Sequence, residues 1–227
     1  MIRVDKVTKE YRTDHTAVQA LRGVSLEIPA GEFLAIAGPS GSGKTTLLNL
    51  IGCLDLPSSG EIYIEGEAVS GKSRVELATL RRLKLGFVFQ SFNLIPVLSA
   101  FENVSFALAL LGADGRELRE RTRKALEEVG LAGLEKRKPG ELSGGQQQRV
   151  AIARALVKGP QIVLADEPTA NLDSDTGREI LELMAGLNRS HGTTFVFSTH
   201  DAMVMEFARR LVLLHDGTIT KDQRRAQ

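Results

Sequence analysis

The sequence reads Gly38-Pro39-Ser40-Gly41-Ser42-Gly43-Lys44-Thr45 where a short apolar stretch, residues 32–37, gives way to a helical pattern, Lys44–Ile51. These residues fit the pattern G-x-x-x-x-G-K-[ST] in full. Glycines let backbone N–H groups converge on a phosphate, and the start of a helix adds a favourable dipole. The flanking strand and helix patterns make a chance glycine-rich turn a poor alternative. We therefore expect a loop that binds the phosphates of a nucleotide.

Each part of this loop has an expected contact. Lys44 supplies a positive charge to the β- and γ-phosphates, and the Thr45 hydroxyl is placed to bind Mg²⁺. The residues expected to contact the nucleotide here are Gly38, Pro39, Ser40, Gly41, Ser42, Gly43, Lys44, Thr45 and Thr46. The motif alone does not separate a kinase, a GTPase and a transport ATPase.

The pattern outward from the loop is that of an α/β protein with a helical insertion. Residues 2–11 and 18–28 alternate loosely, as antiparallel strands do. Further strands are predicted at residues 32–37, 61–64, 85–89, 161–165, 194–198 and 211–215. Between about residues 92 and 158 no strand is predicted, and helix starts are indicated at Ser99, Asp114 and Ser143.

Two carboxylates end one of the apolar strands. Residues 162–165 are followed by Asp166 and Glu167, and charged groups beside a buried strand usually serve a cation or a reaction. Phosphoryl-transfer ATPases hold Mg²⁺ through an aspartate at such a place, which suits Asp166. Glu167 lies one residue further on and is expected to orient or deprotonate the attacking water.

The composition excludes several other classes of protein. Lys and Arg (29) nearly balance Asp and Glu (28), so the net charge of +1 offers no general field for nucleic acid. Cys53 is the single cysteine, so an internal disulfide is impossible and the residue is expected to be an inert apolar filler. No apolar run approaches the ~18 residues of a membrane span, so we expect a cytoplasmic protein. Residues His15, His191 and His215 are expected on the surface.

A third motif identifies the family that the chain resembles. Leu142-Ser143-Gly144-Gly145-Gln146 places a capping serine and two glycines at the start of a helix, which is a second anion-binding arrangement. Alone it would indicate only a capped helix. In order after the phosphate loop and before the acidic strand end, it resembles the signature of the ABC ATPases, and the resemblance covers the whole chain.

The resemblance implies roles for further residues. Gln90 resembles the glutamine that senses Mg²⁺ and the attacking water, so Thr45, Gln90 and Asp166 form the expected Mg²⁺ set. Glu167, His200 and Gln90 form the expected catalytic set, with His200 on the γ-phosphate. Tyr11 resembles the aromatic residue on which adenine stacks, with Val18 beside it. The nucleotide-contacting residues expected outside the phosphate loop are Tyr11, Val18, Ser143, Gly144, Gly145, Gln146 and Asp173.

The resemblance also implies an architecture and partners. The expected fold is the P-loop NTPase fold of ABC ATPases, with an antiparallel β subdomain and an inserted α-helical subdomain. The core would take residues 1–91 and 159–227, and the helical subdomain residues 92–158. A helix start about a hundred residues after the phosphate loop, inside a separate insertion, is not expected to reach that same loop. In the family it reaches the loop of a second copy, giving a head-to-tail dimer around two ATP molecules.

The branch of the family is indicated by four segments that resemble the lipoprotein-release and macrolide-efflux ATPases: Phe89 to Pro96, Phe101 to Val104, Ala165 to Thr169 and Asn171 to Ser174. ATPases of that branch usually carry glycine where this chain has Ala170, which is a small departure from their pattern. The resemblance implies a transport ATPase on the cytoplasmic face of the inner membrane, peripheral to a permease. The permease is expected to dock near residues 92–97, from Phe92 to Val97. A cell-division ATPase acting on a membrane partner remains the alternative within the family.

Two functions from other classes stay open at this point. A soluble ABC protein of DNA repair or translation would carry two cassettes or a long coiled-coil insert, and neither pattern occurs in the sequence. A P-loop kinase of small molecules would need a lid for its acceptor and would leave the motif from Ser143 to Gln146 unexplained. ATP hydrolysis without an added acceptor would separate these functions.

Overall fold

The computed structural model describes residues 1–12 and 16–225. Two compact units divide the chain: Met1–Arg81 with Thr194–Gln227, and Arg82–Thr193. The helical subdomain expected over residues 92–158 lies within the second unit, which also takes in residues 82–91 and 159–193. The bounds expected from the sequence are therefore narrower than those of the compact unit, and they stay a prediction.

The secondary structure follows the predicted order of elements. In chain order the elements are β1 (Ile2–Arg12), β2 (Ala17–Ile28), β3 (Phe33–Ala37), α1 (Lys44–Ile51), β4 (Ser59–Ile64), β5 (Glu67–Ala68), α2 (Arg74–Lys84), β6 (Leu85–Val88), α3 (Ala100–Ala109), α4 (Gly115–Glu128), a 3-10 turn (Pro139–Glu141), α5 (Gly144–Leu156), β7 (Ile162–Asp166), α6 (Ser174–His191), β8 (Thr194–Thr199), α7 (Ala202–Phe207), β9 (Arg210–His215) and β10 (Thr218–Arg224).

The first unit contains an antiparallel sheet in the order β2-β1-β4-β5. Ile2 on β1 lies opposite Ile28 on β2 and Ile64 on β4, and all three side chains are buried. At the start of β1 exposed residues alternate with buried ones such as Ile2, because successive side chains of a strand point to opposite faces. The two antiparallel strands expected at the start of the chain are therefore present. The two-residue strand β5 was not predicted.

The first unit also holds a set of strands in the order β10-β9-β3-β8. β3 pairs in parallel with both neighbours, so Ala37 lies opposite Thr199 at the end of β8 and opposite Leu213 near the end of β9. Every side chain of β3 is buried, and the rings of Phe33 and Phe197 meet edge-on at 4.7 Å. Strands buried on both faces read as continuous apolar runs, which is why this stretch shows no alternation.

The second unit combines two parallel strands with four helices. β6 pairs with β7, so that Val88 lies opposite Ala165. Helix α5 packs on β6, and a Cβ atom at Gly86 would come within 2.8 Å of the Ala155 carbonyl oxygen. Glycine is therefore required for the close approach of strand and helix. Between residues 92 and 158 the described structure contains helices and loops and no strand, as expected.

The predicted helix starts in this region are present with their caps. Ser99 accepts from the Glu102 amide while the Glu102 carboxylate accepts from the Ser99 amide, which closes a capping box. Asp114 accepts from two amides of the first turn of α4, each at 3.0 Å. These caps satisfy N–H groups that no helix can bond internally, so the pattern was readable locally.

The exposure of the histidines and of Cys53 agrees with the sequence analysis for the residues that the structure describes. The side chains of His191 and His215 are 42% and 60% exposed, whereas His15 lies outside the described residues. Cys53 is buried, and burial raises the pKa of its thiol to about 11, so the thiolate that reacts is scarce. Within residues 1–12 and 16–225, no helix has both the length and the apolar composition needed to cross a membrane.

Candidate functional site

The phosphate loop (residues 38–45) joins the end of β3 to the start of α1. Gly43 precedes the helix with a φ of +101°, and a Cβ atom there would lie 2.5 Å from the Ala20 carbonyl oxygen. A Cβ atom on Gly38 would fall on the Leu214 carbonyl oxygen. Only glycine fits these two positions, so the loop's path is determined by its own residues and close backbone neighbours.

Lys44 is turned into this loop rather than toward solvent. Its side chain is 7% exposed, and Nζ donates to the carbonyl oxygens of Gly38 at 2.8 Å and Pro39 at 2.9 Å. The buried Ser42 hydroxyl has no hydrogen-bond partner among the described residues. A buried cation beside an unsatisfied hydroxyl fits an anion such as a phosphate group, because the anion would satisfy both.

The predicted adenine-stacking residues lie side by side. Tyr11 on β1 is directly opposite Val18 on β2, and both are exposed, at 41% and 59%. The Tyr11 hydroxyl donates to Asp55 at 2.9 Å, and Lys9 lies over the ring, 4.9 Å from its centre. Burial and the bond to Asp55 raise the pKa of Tyr11, and a hydrogen bond with Thr46 opposes that shift. The ring is thus held near the first turn of α1.

The register of the parallel strands brings His200 to the same edge as the phosphate loop. Ala37 and Thr199 are paired, so the next residues, Gly38 and His200, both leave the carboxyl ends of adjacent strands. His200 is exposed. Ligands of open α/β sheets bind at this edge, which supports the expected place of His200.

The second unit has a corresponding strand edge that carries the carboxylates. Val88 lies opposite Ala165. Gln90 comes two residues after Val88 and Glu167 two residues after Ala165, so both follow the ends of paired strands. The carboxylate turn (residues 166–171) begins there, and Asn171 donates to the Gln90 carbonyl oxygen at 2.9 Å. Asp166 and Glu167 are partly exposed, and Glu167 has a φ of +45° although it is not glycine. Such a conformation costs of order 1–3 kcal/mol and persists only when its surroundings enforce it.

The expected Mg²⁺ set offers a hydroxyl, an amide and a carboxylate, which are the oxygen ligands that Mg²⁺ takes. Its members are Thr45 in the first unit and Gln90 and Asp166 in the second. No group of three His, Cys, Asp or Glu side chains able to hold a metal occurs in the described part of the chain. This donor set agrees with an ion that keeps waters and phosphate oxygens rather than one held in an all-protein cage.

The signature motif starts helix α5 as predicted. Ser143 is exposed and closes a capping box with Gln146, with distances of 3.3 Å and 3.0 Å. A Cβ atom on Gly145 would lie 2.5 Å from the Thr176 methyl group, and one on Gly144 would lie 3.3 Å from Leu172. The glycines therefore allow α6 and the turn before it to lie against this helix start.

Asp173 has a local role in addition to the expected one. Its carboxylate accepts from the Thr176 amide at 3.0 Å and from the Thr176 hydroxyl at 2.7 Å, which caps α6. The bonds from Thr176 hold the pKa of Asp173 below its usual value. The expected contact of Asp173 across a dimer interface stays a prediction.

Sequence reasoning missed two side chains that hold the functional loops. Arg154 on α5 donates to the carbonyl oxygens of Phe92 at 2.7 Å and Asn93 at 2.5 Å, two residues with positive φ. Asn103 on α3, 1% exposed, accepts from the Ile95 amide and donates to the Ile95 carbonyl oxygen. The available signals were a polar side chain among apolar residues in each helix, Arg154 on α5 and Asn103 on α3, and these signals do not identify the group that each side chain bonds.

Comparison with known proteins points to one family. The family model described as ABC transporter matches residues 21–170. An uncharacterized ABC transporter ATP-binding protein of Methanocaldococcus jannaschii, MJ0796, is 49% identical over 99% of this chain and 97% of its own length. The macrolide export ATP-binding/permease protein MacB of Brucella melitensis is 46% identical over 98% of this chain but only 34% of its own length.

The solved structures agree with these relatives. The dimeric structure of the MJ0796 cassette in a post-hydrolysis state, bound to ADP and Pi, superposes with a TM-score of 0.91 at 46% identity, covering both chains completely. The structure of cbiO1 from Clostridium perfringens, part of the ABC transporter complex cbiONQ, superposes with a TM-score of 0.89 at 30% identity, covering 98% of this chain and 88% of that one. The α/β fold class expected from the sequence is thereby confirmed.

Proposed function

This chain belongs to the ABC transporter family and is an ATPase of that family, and on this premise we propose that it drives a membrane permease by dimerising around ATP and hydrolysing it. The reaction converts ATP and water to ADP and phosphate. Export is the favoured direction, because the MacB relatives carry macrolide export in their name. None of the relatives described above is named for cell division, the alternative within the family.

The phosphate loop is the observation that carries the proposal. The Lys44 ammonium is buried against two carbonyl oxygens of its own loop, and the Ser42 hydroxyl has no partner among the described residues. When ATP binds, its β- and γ-phosphates would take these groups together with the loop amides. Tyr11 and Val18, paired across two strands near α1, would flank the adenine ring.

Hydrolysis is assigned to residues at the strand edges. Glu167 would accept a proton from the attacking water, Gln90 would help to orient that water, and His200 would bind the γ-phosphate. Thr45, Gln90 and Asp166 would hold Mg²⁺, which when bound neutralises charge on the phosphates. Lys44, His200 and the amides of a signature helix would stabilise the negative charge that develops in the transition state.

The dimer supplies the remaining groups. Ser143 is exposed at the start of α5, where the first-turn N–H groups lack helical partners and the helix dipole favours an anion. In the proposed assembly this helix start, with Gly144, Gly145 and Gln146, binds the γ-phosphate of ATP held by a second copy. The dimeric structures of the 46%-identical MJ0796 cassette support this arrangement.

The dimer and the catalytic carboxylate can be tested together with Glu167→Gln. The amide keeps the size and hydrogen bonding of the carboxylate but cannot accept the proton, so ATP should bind and persist. Size-exclusion chromatography should show a monomer without nucleotide and a dimer with ATP. ADP should not substitute for ATP, because it lacks the phosphate that the second helix start binds.

The control is Glu167→Gln combined with Ser143→Arg, which blocks the anion site of α5 and should abolish the ATP-dependent dimer. A Glu167→Gln protein that stays monomeric in saturating ATP contradicts the sandwich arrangement. One that hydrolyses ATP at the wild-type rate contradicts the assignment of the base.

The membrane partner would dock on residues 92–97. Val97 is 71% exposed, and the preceding apolar residues Phe92, Leu94 and Ile95 are only partly buried. Exposed apolar side chains in a loop suit a protein interface. A permease bound here would hold the ATPase at the cytoplasmic face of the inner membrane as a peripheral subunit.

A charged cleft that begins two residues further along the chain, at Ser99, would suit acidic residues of the same partner. The cleft has a volume of about 730 Å³ and is lined by Ser99, Phe101, Glu102, Arg119, Arg123, Gly133, Glu135 and Lys136. Both of its carboxylates already accept backbone N–H groups, Glu102 from Ser99 and Glu135 from Gly133. The lining thus holds three cations, Arg119, Arg123 and Lys136, beside two carboxylates, Glu102 and Glu135.

Docking is tested by Val97→Asp, which places a charge on an exposed site with little effect on folding. Binding of the purified ATPase to membrane vesicles from the source cells should fall about tenfold, since burying an unpaired charge is costly. Basal ATPase activity should remain. Val75→Asp is the control, because Val75 is equally open, at 75% exposure, on α2. Equal vesicle binding by both variants would place the docking site elsewhere.

A further inference from the structure

Helix α5 contacts the carboxylate turn through a buried glutamine. Gln148 is the fifth residue of α5 and is 0% exposed. Its Nε2 donates to the Pro168 carbonyl oxygen at 2.7 Å. A carbonyl oxygen can only accept, so the amide nitrogen must face Pro168. The signature helix is therefore bonded to the residue directly after Glu167.

The rest of the Gln148 amide is poorly satisfied. Its Oε1 is buried and has no hydrogen-bond partner among the described residues. A buried acceptor without a partner lowers stability, and an apolar side chain of similar volume would avoid that loss. The contribution of Gln148 therefore lies in the N–H group that it offers to Pro168 rather than in the packing of its oxygen.

The residue that this bond steadies is under conformational strain. Glu167 has a φ of +45°, in the left-handed region that suits glycine. Its carbonyl oxygen accepts from Ala170 at 3.2 Å, and the next residue, Pro168, is held by Gln148. A left-handed glutamate persists only when the bonds around it enforce that conformation. Loosening Pro168 would shift the backbone that carries the Glu167 side chain.

We infer that Gln148 is a positioning residue for Glu167, which ties the placement of the carboxylate to the helix whose first turn carries Ser143 and Gln146. The inference rests on the proposed function, in which Glu167 is the base and that helix start binds the ATP of a second copy. Gln148 then links a group that contacts the partner's nucleotide to the carboxylate that acts on the nucleotide of its own chain.

The test is Gln148→Leu, which removes the donor and the unsatisfied oxygen together. The kcat for ATP should fall between about tenfold and a hundredfold, since a displacement of about 1 Å at a reacting group costs that much. KM should change by less than about twofold, and the melting temperature should stay close to wild type. A residue that only supported the fold would lower the melting temperature instead and leave kcat per folded molecule unchanged.

Gln147→Leu is the matched control. Gln147 is the neighbouring residue on α5 and also bonds a backbone carbonyl oxygen, that of Leu142 at 3.1 Å. This variant loses a comparable bond without touching Pro168, so its kcat should stay within about twofold of wild type. Equal kcat losses in the two variants, or none in Gln148→Leu, overturn the inference.

The double variant with Glu167→Gln separates this inference from the proposed function. If Gln148 acts through Glu167, adding Gln148→Leu to Glu167→Gln should not lower the residual turnover further, and the ATP-dependent dimer should still form. A Glu167→Gln protein with wild-type turnover defeats the proposed base, whereas a further fall in the double variant defeats only the role of Gln148. Should Gln148→Leu not fold, Gln148→Met serves in its place. Failure of both to fold shows a structural role and overturns the inference.

Discussion

The phosphate loop and the carboxylate turn solve the same problem, holding a reactive loop at a strand end, by different means. In the phosphate loop the residues with positive φ are glycines, Gly41 and Gly43, for which that conformation carries little strain. In the carboxylate turn and the nearby segment after β6, they are Glu167, Phe92 and Asn93. The phosphate loop takes its path from its own glycines and from the close backbone of Ala20 and Leu214, whereas the second group of loops is held by side chains distant in the sequence.

The bonds that hold the two regions show the same contrast. Lys44 bonds carbonyl oxygens five and six residues away within its own loop. Arg154 bonds residues 61 and 62 positions earlier, and Asn171 bonds Gln90 from 81 positions away. The cation of the phosphate loop is therefore held within its own loop, whereas Gln90, Glu167 and the segment after β6 depend on the packing of the second unit.

A single substitution within the phosphate loop should abolish most of its nucleotide binding. Lys44→Ala removes the loop's buried cation, so affinity for Mg·ATP should fall about a hundredfold or more, and turnover with it. Nucleotide titration and a steady-state ATPase assay measure the two effects. Lys72→Ala, which removes a cation paired with Glu67 at 2.9 Å, should leave both unchanged. Unchanged affinity in the Lys44 variant would contradict the phosphate assignment.

The segment after β6 should be loosened by a substitution that is distant from it in the sequence. Arg154→Met keeps the apolar stem but loses the bonds to Phe92 and Asn93, each worth about 1.5–3 kcal/mol as a bond to a charged group. Amide hydrogen exchange in residues 90–97 should become at least tenfold faster, while nucleotide affinity stays near wild type. These two measurements distinguish a loosened loop from a damaged phosphate site.

Arg149→Met is the control for this comparison, because Arg149 lies on the same helix and bonds Val129 and Glu179 instead. Exchange in residues 90–97 should be unaffected by it. If Arg154→Met leaves this exchange unchanged, the segment after β6 is held by its own residues and the contrast between the two regions fails.

The smallest effect is expected at Tyr11. Tyr11→Ala removes a stacking face, so KM for ATP should rise about fivefold, with a smaller change in kcat. This rise corresponds to the low end of base-stacking energies, because the ring is exposed. GTP should also be hydrolysed, because stacking accepts every base. Tyr63→Ala, which removes the other tyrosine, should leave KM unchanged. Equal KM values for wild type and Tyr11→Ala would remove Tyr11 from the nucleotide site.

Much of the fold could be predicted because its signals are local. The caps at Ser99, Asp114 and Ser143, the helix after Gly43 and the apolar strand before it each depend on residues within one turn or a few positions. The short strand β5 could not be predicted, since two residues carry no periodicity. Strand β10 was signalled only by the Asp216-Gly217 turn before it.

Three features could be read from the residues alone: the phosphate loop, the capped signature helix and the family. Spacing and glycine content specify the loop and the helix start locally, and the order of the motifs along the chain indicates the family. The packing of the folded chain places Gly38 and His200 at adjacent strand ends and holds Glu167 in a left-handed conformation. It also brings Gln148 and Arg154 to the loops that they bond. The physical reason is that a buried amide or guanidinium must form hydrogen bonds, but strand register and helix packing determine which group it bonds.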